Sequence, residues 1–240
     1  MTLPFQPEPA VRRIRALTLD LDNTLWDIDP VIHRAEETLW QWLGAYYPRI
    51  HERWSANDLI QLRHEIMDRH WDKHFDFRFL RKKVLEHVAV SSGYDAMLVE
   101  PAFEVFDDVR NDVELYPDVL AELEILFSRY TIVALTNGNS NLKKIGIRHL
   151  FHGVVTAVDA GAAKPSKRIF DVAIGEAGVQ PDEILHVGDH PETDIDGGRQ
   201  AGMRTAWINR NGEQWPDEID QPDVVITDMT ELRELLEAAG

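Results

Sequence analysis

The sequence predicts an α/β protein whose core is a doubly wound parallel sheet. From Pro117 onward, short apolar runs rich in β-branched residues alternate with helical patterns, and this alternation is typical of βαβ units. Between Pro30 and about Val113 the pattern is helical throughout, which indicates a helical domain inserted after the first strand. The chain has 240 residues, of which 44% are hydrophobic, so it can bury the core of a Rossmann-like fold.

Six apolar runs are predicted to form the strands of this sheet. They are Ile14 to Leu19, Thr131 to Leu135, Gly153 to Thr156, Ile184 to Val187, Thr205 to Ile208 and Val224 to Thr227. The excursion between the first two is too long for an ordinary crossover, and such excursions usually form a lid or a small domain. We therefore expect a core domain of residues 1–28 and 113–240 and a helical cap domain of residues 29–112.

Charge and composition exclude several classes of partner. With 42 acidic and 25 basic residues the chain carries a net charge of −17, which repels nucleic acids and anionic membrane surfaces. It has no cysteine, and no apolar run approaches the length of a membrane span. Residues 1–10 contain three prolines and lack the apolar segment of a signal peptide, which predicts a loose arm. We expect a cytoplasmic protein, monomeric or homodimeric, that binds neither nucleic acid nor membrane.

Two carboxylates, Asp20 and Asp22, follow the first predicted strand on alternate residues. Side chains two apart in a strand point the same way, so both can approach one small volume, where their mutual repulsion usually requires a cation. The alternative is an edge strand that runs into an ordinary turn, because Asp, Asn and Thr favour turns by themselves. Three later segments favour the cation site.

Polar side chains also stand at the carboxyl ends of later strands, where open parallel sheets bind their ligands. Thr136 and Asn137 offer a hydroxyl and an amide to anionic oxygens, although such residues also cap helices. Lys164, in a loop of small residues before a proline, could present an ammonium to a phosphate, although a lone lysine is usually solvated. Asp189 directly follows another strand, and Asp194 either joins it or caps the next helix.

Together, Asp20, Asp22 and Asp189, with Asp194 as a further candidate, make an oxygen-rich cluster that a small hard cation would neutralise. Mg²⁺ uses a few carboxylates together with water and substrate phosphate, so it is the predicted cofactor. Beside a lysine and a hydroxyl, such a cluster matches the needs of phosphoryl transfer, in which positioned groups neutralise charge on the phosphoryl oxygens.

These four segments, in this order, resemble the motifs of the haloacid dehalogenase (HAD) superfamily of aspartate-nucleophile hydrolases. The matching segments are Asp20–Thr24, Thr136–Asn137, Lys164–Pro165 and Gly188–Asp194. The resemblance implies that Asp20 attacks phosphorus to form an aspartyl phosphate. It also implies that Asp22 protonates the leaving alcohol and then activates water.

The same resemblance implies two sets of ligands. The phosphoryl group would be bound by Thr136, Asn137 and Lys164. The Mg²⁺ ion would be bound by Asp20, the Asp22 carbonyl and Asp189, with Asp194 in a supporting role outside the ligand set. Dehalogenases of this superfamily lack an acid at the position of Asp22 and phosphatases keep it, so the resemblance favours a phosphatase.

A closer likeness runs through most of the chain. It is carried by Ile14–Asp27, Ala134–Asn139, Ile184–Asp189 and Gly202–Ile208. These segments are similar to the bacterial phosphatases that dephosphorylate 5-amino-6-(5-phospho-D-ribitylamino)uracil in riboflavin synthesis, some of which also act on FMN. Asn23 departs from that group, which often has Asp there. The position of the insertion resembles subfamily IA, in which a helical cap of the C1 type closes over the substrate.

The expected function is that of a Mg²⁺-dependent phosphatase for a small-molecule phosphomonoester, with the flavin-pathway intermediate or FMN as first-choice substrate. The alternatives are a nucleotidase, a sugar-phosphate phosphatase and a noncatalytic protein that binds a phosphate ligand. Such binding proteins commonly lose one of the two catalytic carboxylates, and this chain retains both. A phosphomutase would use the same aspartyl phosphate behind a cap that excludes water.

The cap is expected to select the substrate. Its basic residues near three phenylalanines, Arg78, Arg81, Lys82 and Lys83, could combine charge with ring stacking on a heteroaromatic phosphate. The alternative is a solvated helix face over phenylalanines that pack the cap. Arg81 is the one predicted substrate contact.

Overall fold

The computed structural model describes residues 14–239, so the arm expected at residues 1–10 lies outside the described part of the chain. The described residues divide into two compact units. The sheet unit comprises the described residues up to Asp27, Glu114–Gly138 and the described residues from Gly146 onward. The helical unit comprises Ile28–Val113 and Asn139–Ile145.

A six-stranded, entirely parallel sheet forms the centre of the sheet unit. Its strands are β1 (Ala16–Leu19), β2 (Thr131–Thr136), β3 (Gly153–Thr156), β4 (Ile184–Gly188), β5 (Arg204–Ile208) and β6 (Val224–Ile226). Their order across the sheet is β3-β2-β1-β4-β5-β6. This is a doubly wound order whose direction reverses between β1 and β4, and it confirms the predicted fold class.

Eleven α-helices lie within residues 14–239. They are α1 (Asp29–Tyr46), α2 (Pro48–Arg53), α3 (Ala56–Arg69), α4 (Phe77–Ser91), α5 (Val99–Arg110), α6 (Val119–Phe127), α7 (Leu142–Ile145), α8 (Ala157–Ala160), α9 (Lys167–Ala177), α10 (Gly197–Gln200) and α11 (Met229–Ala239). Within that range, no helix combines the length and apolarity that a bilayer crossing needs.

The helical unit is held together by the packing of α1 on α5, of α3 on α4 and of α4 on α5. Its core is an apolar cluster that includes Leu39, Leu62, Val88 and Phe106. A capping box begins α3: the Ser55 hydroxyl accepts a hydrogen bond from the N–H of Asp58 (3.2 Å), and the Asp58 carboxylate accepts one from the N–H of Ser55 (2.7 Å). Such caps stabilise a helix by about 1 kcal/mol.

In the sheet unit, α9 packs against β1, β2 and β3. Helices α6 and α11 pack against each other, α6 also packs on β2, and α11 also packs on β6. All four residues of β1 are buried. This explains why the run Ala16–Leu19 lacks a polar alternation, because a central parallel strand is covered on both faces.

The register of β1 aligns the ends of three neighbouring strands. Leu19 lies opposite Ala134 of β2 and Val187 of β4. The next residue after Leu19 is Asp20, and β4 is followed by Asp189. These two acids therefore leave the sheet at its carboxyl edge, beside the reversal of strand order where doubly wound folds bind ligands.

Candidate active site

Lys164 lies at the centre of this edge and bridges two acids. Its Nζ donates hydrogen bonds to Oδ1 of Asp20 and to Oδ1 of Asp194, the latter at 2.5 Å. The Lys164 and Asp194 side chains are each only 2% exposed. The lone lysine that would ordinarily be solvated is thus a buried cation between two carboxylates, and a buried charge persists only when it is paired in this way.

Asp194 lies on a single π-helical turn, Pro191–Asp196, which follows β4. Besides Lys164, its carboxylate accepts hydrogen bonds from the backbone N–H of His190 (3.1 Å) and from the His186 ring (3.1 Å). Gly188 allows this turn to come close: a Cβ added at that glycine would lie 2.3 Å from Cγ of Asp194. The Gly188–Asp189 pair of the sequence motif therefore has a steric purpose.

His186 is a buried imidazole in the middle of β4. Its Nε2 lies 3.1 Å from Oδ1 of Asp194, and its Nδ1 lies 2.8 Å from the hydroxyl of Thr18. Burial lowers the pKa of His186, so the ring is neutral. Because the ionised Asp194 only accepts hydrogen bonds, Nε2 carries the hydrogen and Nδ1 accepts one from Thr18. Thr18 and His186 thus fix the orientation of Asp194 from inside the sheet.

Asp22 belongs to a tight turn that follows β1. The N–H of Leu25 donates to the carbonyl of Leu21 (2.8 Å), which makes one helical turn, and Asn23 has a left-handed backbone with φ 63°. Asn tolerates this conformation better than most residues do. The indole Nε1 of Trp26 donates a hydrogen bond to Oδ1 of Asp22 (2.9 Å). The position of Asp22 is therefore set by this turn and by the hydrogen bond from Trp26, in addition to its place two residues after Asp20.

Asp189 is anchored through its backbone, since the indole of Trp207 on β5 donates to its carbonyl (2.7 Å). Its carboxylate lies beside Thr24, whose hydroxyl is 3.5 Å from oxygens of both Asp189 and Asp20. The carbonyl of Thr24 in turn accepts a hydrogen bond from Arg210 (3.0 Å). Thr24 therefore stands between the two acids that leave β1 and β4.

Thr136 and Asn137 follow the predicted strand, but their side chains serve different purposes. The Asn137 amide makes two hydrogen bonds with the backbone of Lys164, accepting from its N–H (2.6 Å) and donating to its carbonyl (3.1 Å). The hydroxyl oxygen of buried Thr136 accepts from the N–H of Gly138 (2.9 Å), so its own hydrogen can be donated elsewhere. Asn137 positions the lysine loop, and Thr136 retains a donor for a ligand.

Burial and crowding of like charges control the ionisation of the site. Burial raises the pKa of Asp20 well above its usual range, and the Asp194 and Asp189 carboxylates add to this effect against the opposing charge of Lys164. Burial, together with Asp194, raises the pKa of Asp189 to about 6. Burial by itself would raise the pKa of Asp194, but Lys164 and His186 outweigh it and hold that pKa below its usual range. Burial by itself would lower the pKa of Lys164, but the two paired carboxylates outweigh it and raise that pKa.

The acidic residues fit a small hard cation. Asp20, Asp189 and Asp194 each offer a carboxylate oxygen, and the three oxygens lie within 4.8 Å of one another. Oxygen donors at this spacing suit Mg²⁺-like ions, and a cation would relieve the repulsion that raises the pKa values of Asp20 and Asp189. The Asp22 carboxylate is not among these three, so a contribution from Asp22 would have to come from its carbonyl.

Arg81 lies in the helical unit, on α4. Its guanidinium contacts Glu36 (2.9 Å) and stacks over the Phe106 ring at 3.4 Å, while Arg63 pairs with the same Glu36. Burial by itself would raise the pKa of Glu36, but Arg81 and Arg63 outweigh it and hold that pKa below its usual range. The three charged residues line a cavity of about 830 Å³ whose other walls are chiefly apolar side chains of α1, α3 and α4.

Sequence reasoning assigned no role to Trp26, Thr24 or His186. His186 interrupts an apolar strand, and a histidine at a position buried on both faces must find hydrogen-bond partners, which was the available signal. Trp26 stands four residues after Asp22, the spacing at which side chains meet on a helical turn. Arg210 gave no signal, because its contact with Thr24 joins residues far apart in sequence.

The fold and this site together define a HAD-like α/β hydrolase. The chain belongs to the haloacid dehalogenase-like hydrolases, because the family model of that description matches residues 14–202.

Relatives of known activity and structure are similar over most of their length. The 5-amino-6-(5-phospho-D-ribitylamino)uracil phosphatase YigB of Escherichia coli K12 is 30% identical over 206 residues, which cover 84% of this chain and 86% of the relative. The pyrimidine 5'-nucleotidase YjjG of the same organism is 33% identical over 162 residues, or 63% of this chain and 71% of the relative. The crystal structure of a 2-haloacid dehalogenase from Pseudomonas syringae pv. Tomato DC3000 is 35% identical, with a TM-score of 0.90 over 95% of this chain and 100% of that one.

Proposed function

We propose that the protein is a Mg²⁺-dependent phosphatase that hydrolyses a small-molecule phosphomonoester through an aspartyl-phosphate intermediate. The observation that carries this proposal is the buried Lys164 between Asp20 and Asp194, with Asp189 alongside, at the carboxyl edge of the sheet. A fixed ammonium and a cluster of oxygen ligands are the two devices that neutralise a phosphoryl group during transfer.

In the first half-reaction, a carboxylate oxygen of Asp20 bonds to phosphorus while the bond from phosphorus to the leaving oxygen breaks. Asp22, protonated at the start, gives its proton to that leaving oxygen, and the alcohol departs. Lys164, the Thr136 hydroxyl and the Asn137 amide bind the phosphoryl oxygens, and Asn137 also keeps the lysine loop in place.

In the second half-reaction, Asp22 takes a proton from water, whose oxygen bonds to phosphorus as the bond from Asp20 to phosphorus breaks. Phosphate leaves, and Asp22 again carries its proton. Mg²⁺, bound by Asp20, the Asp22 carbonyl and Asp189 with Asp194 in support, would supply positive charge to the phosphoryl oxygens and keep Asp20 ionised.

A dehalogenase is the second candidate, because a solved relative with a TM-score of 0.90 carries that description. The leaving groups separate the two functions. A halide departs as a stable anion and needs no proton, whereas an alcohol leaving a phosphate does. The acid at Asp22, fixed by Trp26, and a cluster suited to a divalent cation both favour the phosphatase.

For the substrate, we propose 5-amino-6-(5-phospho-D-ribitylamino)uracil or FMN first, supported by the likeness to the E. coli enzyme of that description. A nucleotide is the alternative substrate supported by the nucleotidase relative. The further alternatives are a sugar-phosphate phosphatase and a noncatalytic protein that binds a phosphate ligand. Arg81 is proposed as a substrate contact in the cap.

The test is a panel assay with Mg²⁺ that measures phosphate release from these substrates and halide release from 2-chloropropionate. The Asp20→Asn variant is the control for both readouts, because either chemistry uses Asp20 as nucleophile. Phosphate release that is lost in Asp20→Asn supports a phosphatase, and preference within the panel names the substrate class. Halide release without phosphate release would reverse the assignment, and release of neither would favour the binding protein.

A further inference from the structure

We propose that Trp26 is a positioning residue for the general acid and base Asp22, an inference that rests on the proposed phosphatase function. Trp26 is fully buried, at 0% exposure, although it lies in the turn after β1 and not in the sheet. Its indole Nε1 donates a 2.9 Å hydrogen bond to Oδ1 of Asp22.

Hydrogen bonds hold the main chain around Trp26 on both sides. The carbonyl of Trp26 accepts from the N–H of Asn23 (2.7 Å), and Trp26 forms an antiparallel bridge with Leu115. Its neighbour Leu25 accepts from the N–H of Tyr116 (3.0 Å). A ring at 0% exposure in a close-packed interior has little room to change rotamer when its main chain is held in this way, and this constrains the position of its N–H.

This fixed donor matters because Asp22 is only partly buried. A carboxyl group that donates a proton to a departing oxygen must hold its geometry within fractions of an ångström. The indole N–H of Trp26 restrains the Asp22 carboxyl group through its hydrogen bond to Oδ1.

An indole N–H can donate a hydrogen bond but never accept one. Oδ1 must therefore remain an acceptor in both protonation states of Asp22, and the catalytic proton is confined to Oδ2. The same hydrogen bond persists when Asp22 is an acid in the first half-reaction and a base in the second. Trp26 thus orients one oxygen so that the other can exchange protons with the leaving group and with water.

The purely structural alternative is that Trp26 fills space and that its N–H needs any acceptor. That alternative predicts equal losses with all substrates, whereas a positioning residue acts on the proton transfer. The value of kcat/KM reports the steps up to departure of the leaving group. Leaving groups of low pKa depart without protonation, and those of high pKa depend on Asp22.

The experiment compares the wild type and Trp26→Phe with Mg²⁺ and phosphate monoesters whose leaving groups have pKa values from about 4 to about 15. Trp26→Phe keeps an aromatic ring and removes the N–H. We expect kcat/KM to fall about 10- to 100-fold for alkyl phosphates and less than about 3-fold for dinitrophenyl phosphate. A plot of log kcat/KM against leaving-group pKa is therefore steeper in the variant.

Two controls isolate the hydrogen bond. Trp54→Phe removes another indole hydrogen bond, to the Ser91 hydroxyl (3.2 Å), and should leave the slope unchanged. In an Asp22→Asn background, Trp26→Phe should add no further dependence on the leaving group. If Trp26→Phe does not fold, 3-benzothienylalanine at position 26 has nearly the shape of tryptophan with sulfur in place of the N–H.

The outcomes separate this inference from the function on which it depends. Parallel plots for the wild type and either Trp26 variant, with activity that requires Asp20, overturn the role of Trp26 and leave the phosphatase intact. Absence of Asp20-dependent phosphate release in the wild type overturns both.

Discussion

Lys164 and Asp194 form a buried ion pair in which Nζ lies 2.5 Å from Oδ1 and each side chain is only 2% exposed. Asp194 is also the acceptor for His186 and for the N–H of His190. Three donors therefore converge on one carboxylate, and this convergence holds Lys164 in place before any ligand arrives.

Replacing Asp194 with Asn should destabilise the protein by about 2–4 kcal/mol, because an amide offers one acceptor oxygen and turns an NH₂ group toward a donor. Urea unfolding of the metal-free protein measures the change in the free energy of unfolding. The matched control is Asp196→Asn two residues away, whose ion pair with Arg199 is partly exposed and whose loss should cost at most about 1 kcal/mol. Equal effects of the two substitutions would contradict a structural role for the buried pair.

Mg²⁺ binding should weaken on acidification through pH 6, because burial raises the pKa of Asp189 to about 6 and a protonated carboxyl is a poor ligand. We expect the rise in Tm caused by Mg²⁺ to shrink at pH 5 to less than about half of its value at pH 7. Differential scanning fluorimetry at both pH values measures it. An increment that is independent of pH would remove Asp189 from the ligand set.

In the metal-free protein, Asp189 should instead contribute stability that decreases as the pH rises. The pKa of Asp189 is raised above its ordinary value of 3.8, so the folded state binds the proton more tightly than the unfolded state. Its contribution to stability is present at low pH and is lost as the pH rises from about 4 to about 6. Asp189→Asn should abolish that component of the pH dependence, which makes it the control for both measurements.

Arg81→Ala should raise KM for the preferred substrate more than for the small generic substrate p-nitrophenyl phosphate, because the Arg81 guanidinium lines the cavity of the helical unit beside Glu36. We expect about a 10-fold rise, equivalent to the loss of one charged hydrogen bond. Arg78→Ala is the matched control on the same helix, since the Arg78 side chain is 47% exposed and pairs with Asp107. Identical kinetics of the wild type and Arg81→Ala would exclude a substrate contact.

Gly188→Ala should abolish most of the activity, because the new Cβ would lie 2.3 Å from Cγ of Asp194 and force that carboxylate away from Lys164. We expect kcat to fall by about 100-fold or more, the cost of misplacing a site by roughly 1 Å. Gly175→Ala on α9 is the control, since its Cβ would meet no atom within 4 Å and a helical alanine should stabilise by about 0.5–1 kcal/mol. Full activity of Gly188→Ala would show that the Asp194 turn can shift without consequence.

Much of the architecture could be predicted because it follows from local patterns. The six strands are continuous apolar runs, and parallel strands align their carboxyl ends, which is enough to bring Asp20 and Asp189 to one edge. The helical texture after β1 likewise predicted a run of helices between β1 and β2, which the structure has, and their role as a cap stays a prediction. The catalytic roles of these residues and the domain limits stay predictions.

The details that escaped prediction depend on contacts between distant segments. The phosphate contact of Asn137 stays a prediction, and the sequence did not predict that its amide also binds the backbone of Lys164, 27 positions away. Whether Lys164 is solvated or buried depends equally on how its loop returns to the sheet. Residues 139–145 follow β2 but belong to the helical unit, and this membership depends on their packing. Neither the spacing nor the type of these residues predicts which unit they join.

The central place of β1 also has a consequence for how the chain is made. Its two neighbours are β2 and β4, and the first of them begins 112 positions after Leu19. During ribosomal synthesis, an apolar strand with two open edges must therefore wait for distant partners, and such edges invite aggregation. Contacts this far apart also slow folding. The recovery of enzymatic activity during refolding should accordingly be among the last signals to appear, and we expect the nascent chain to need chaperones that shield unpaired strands.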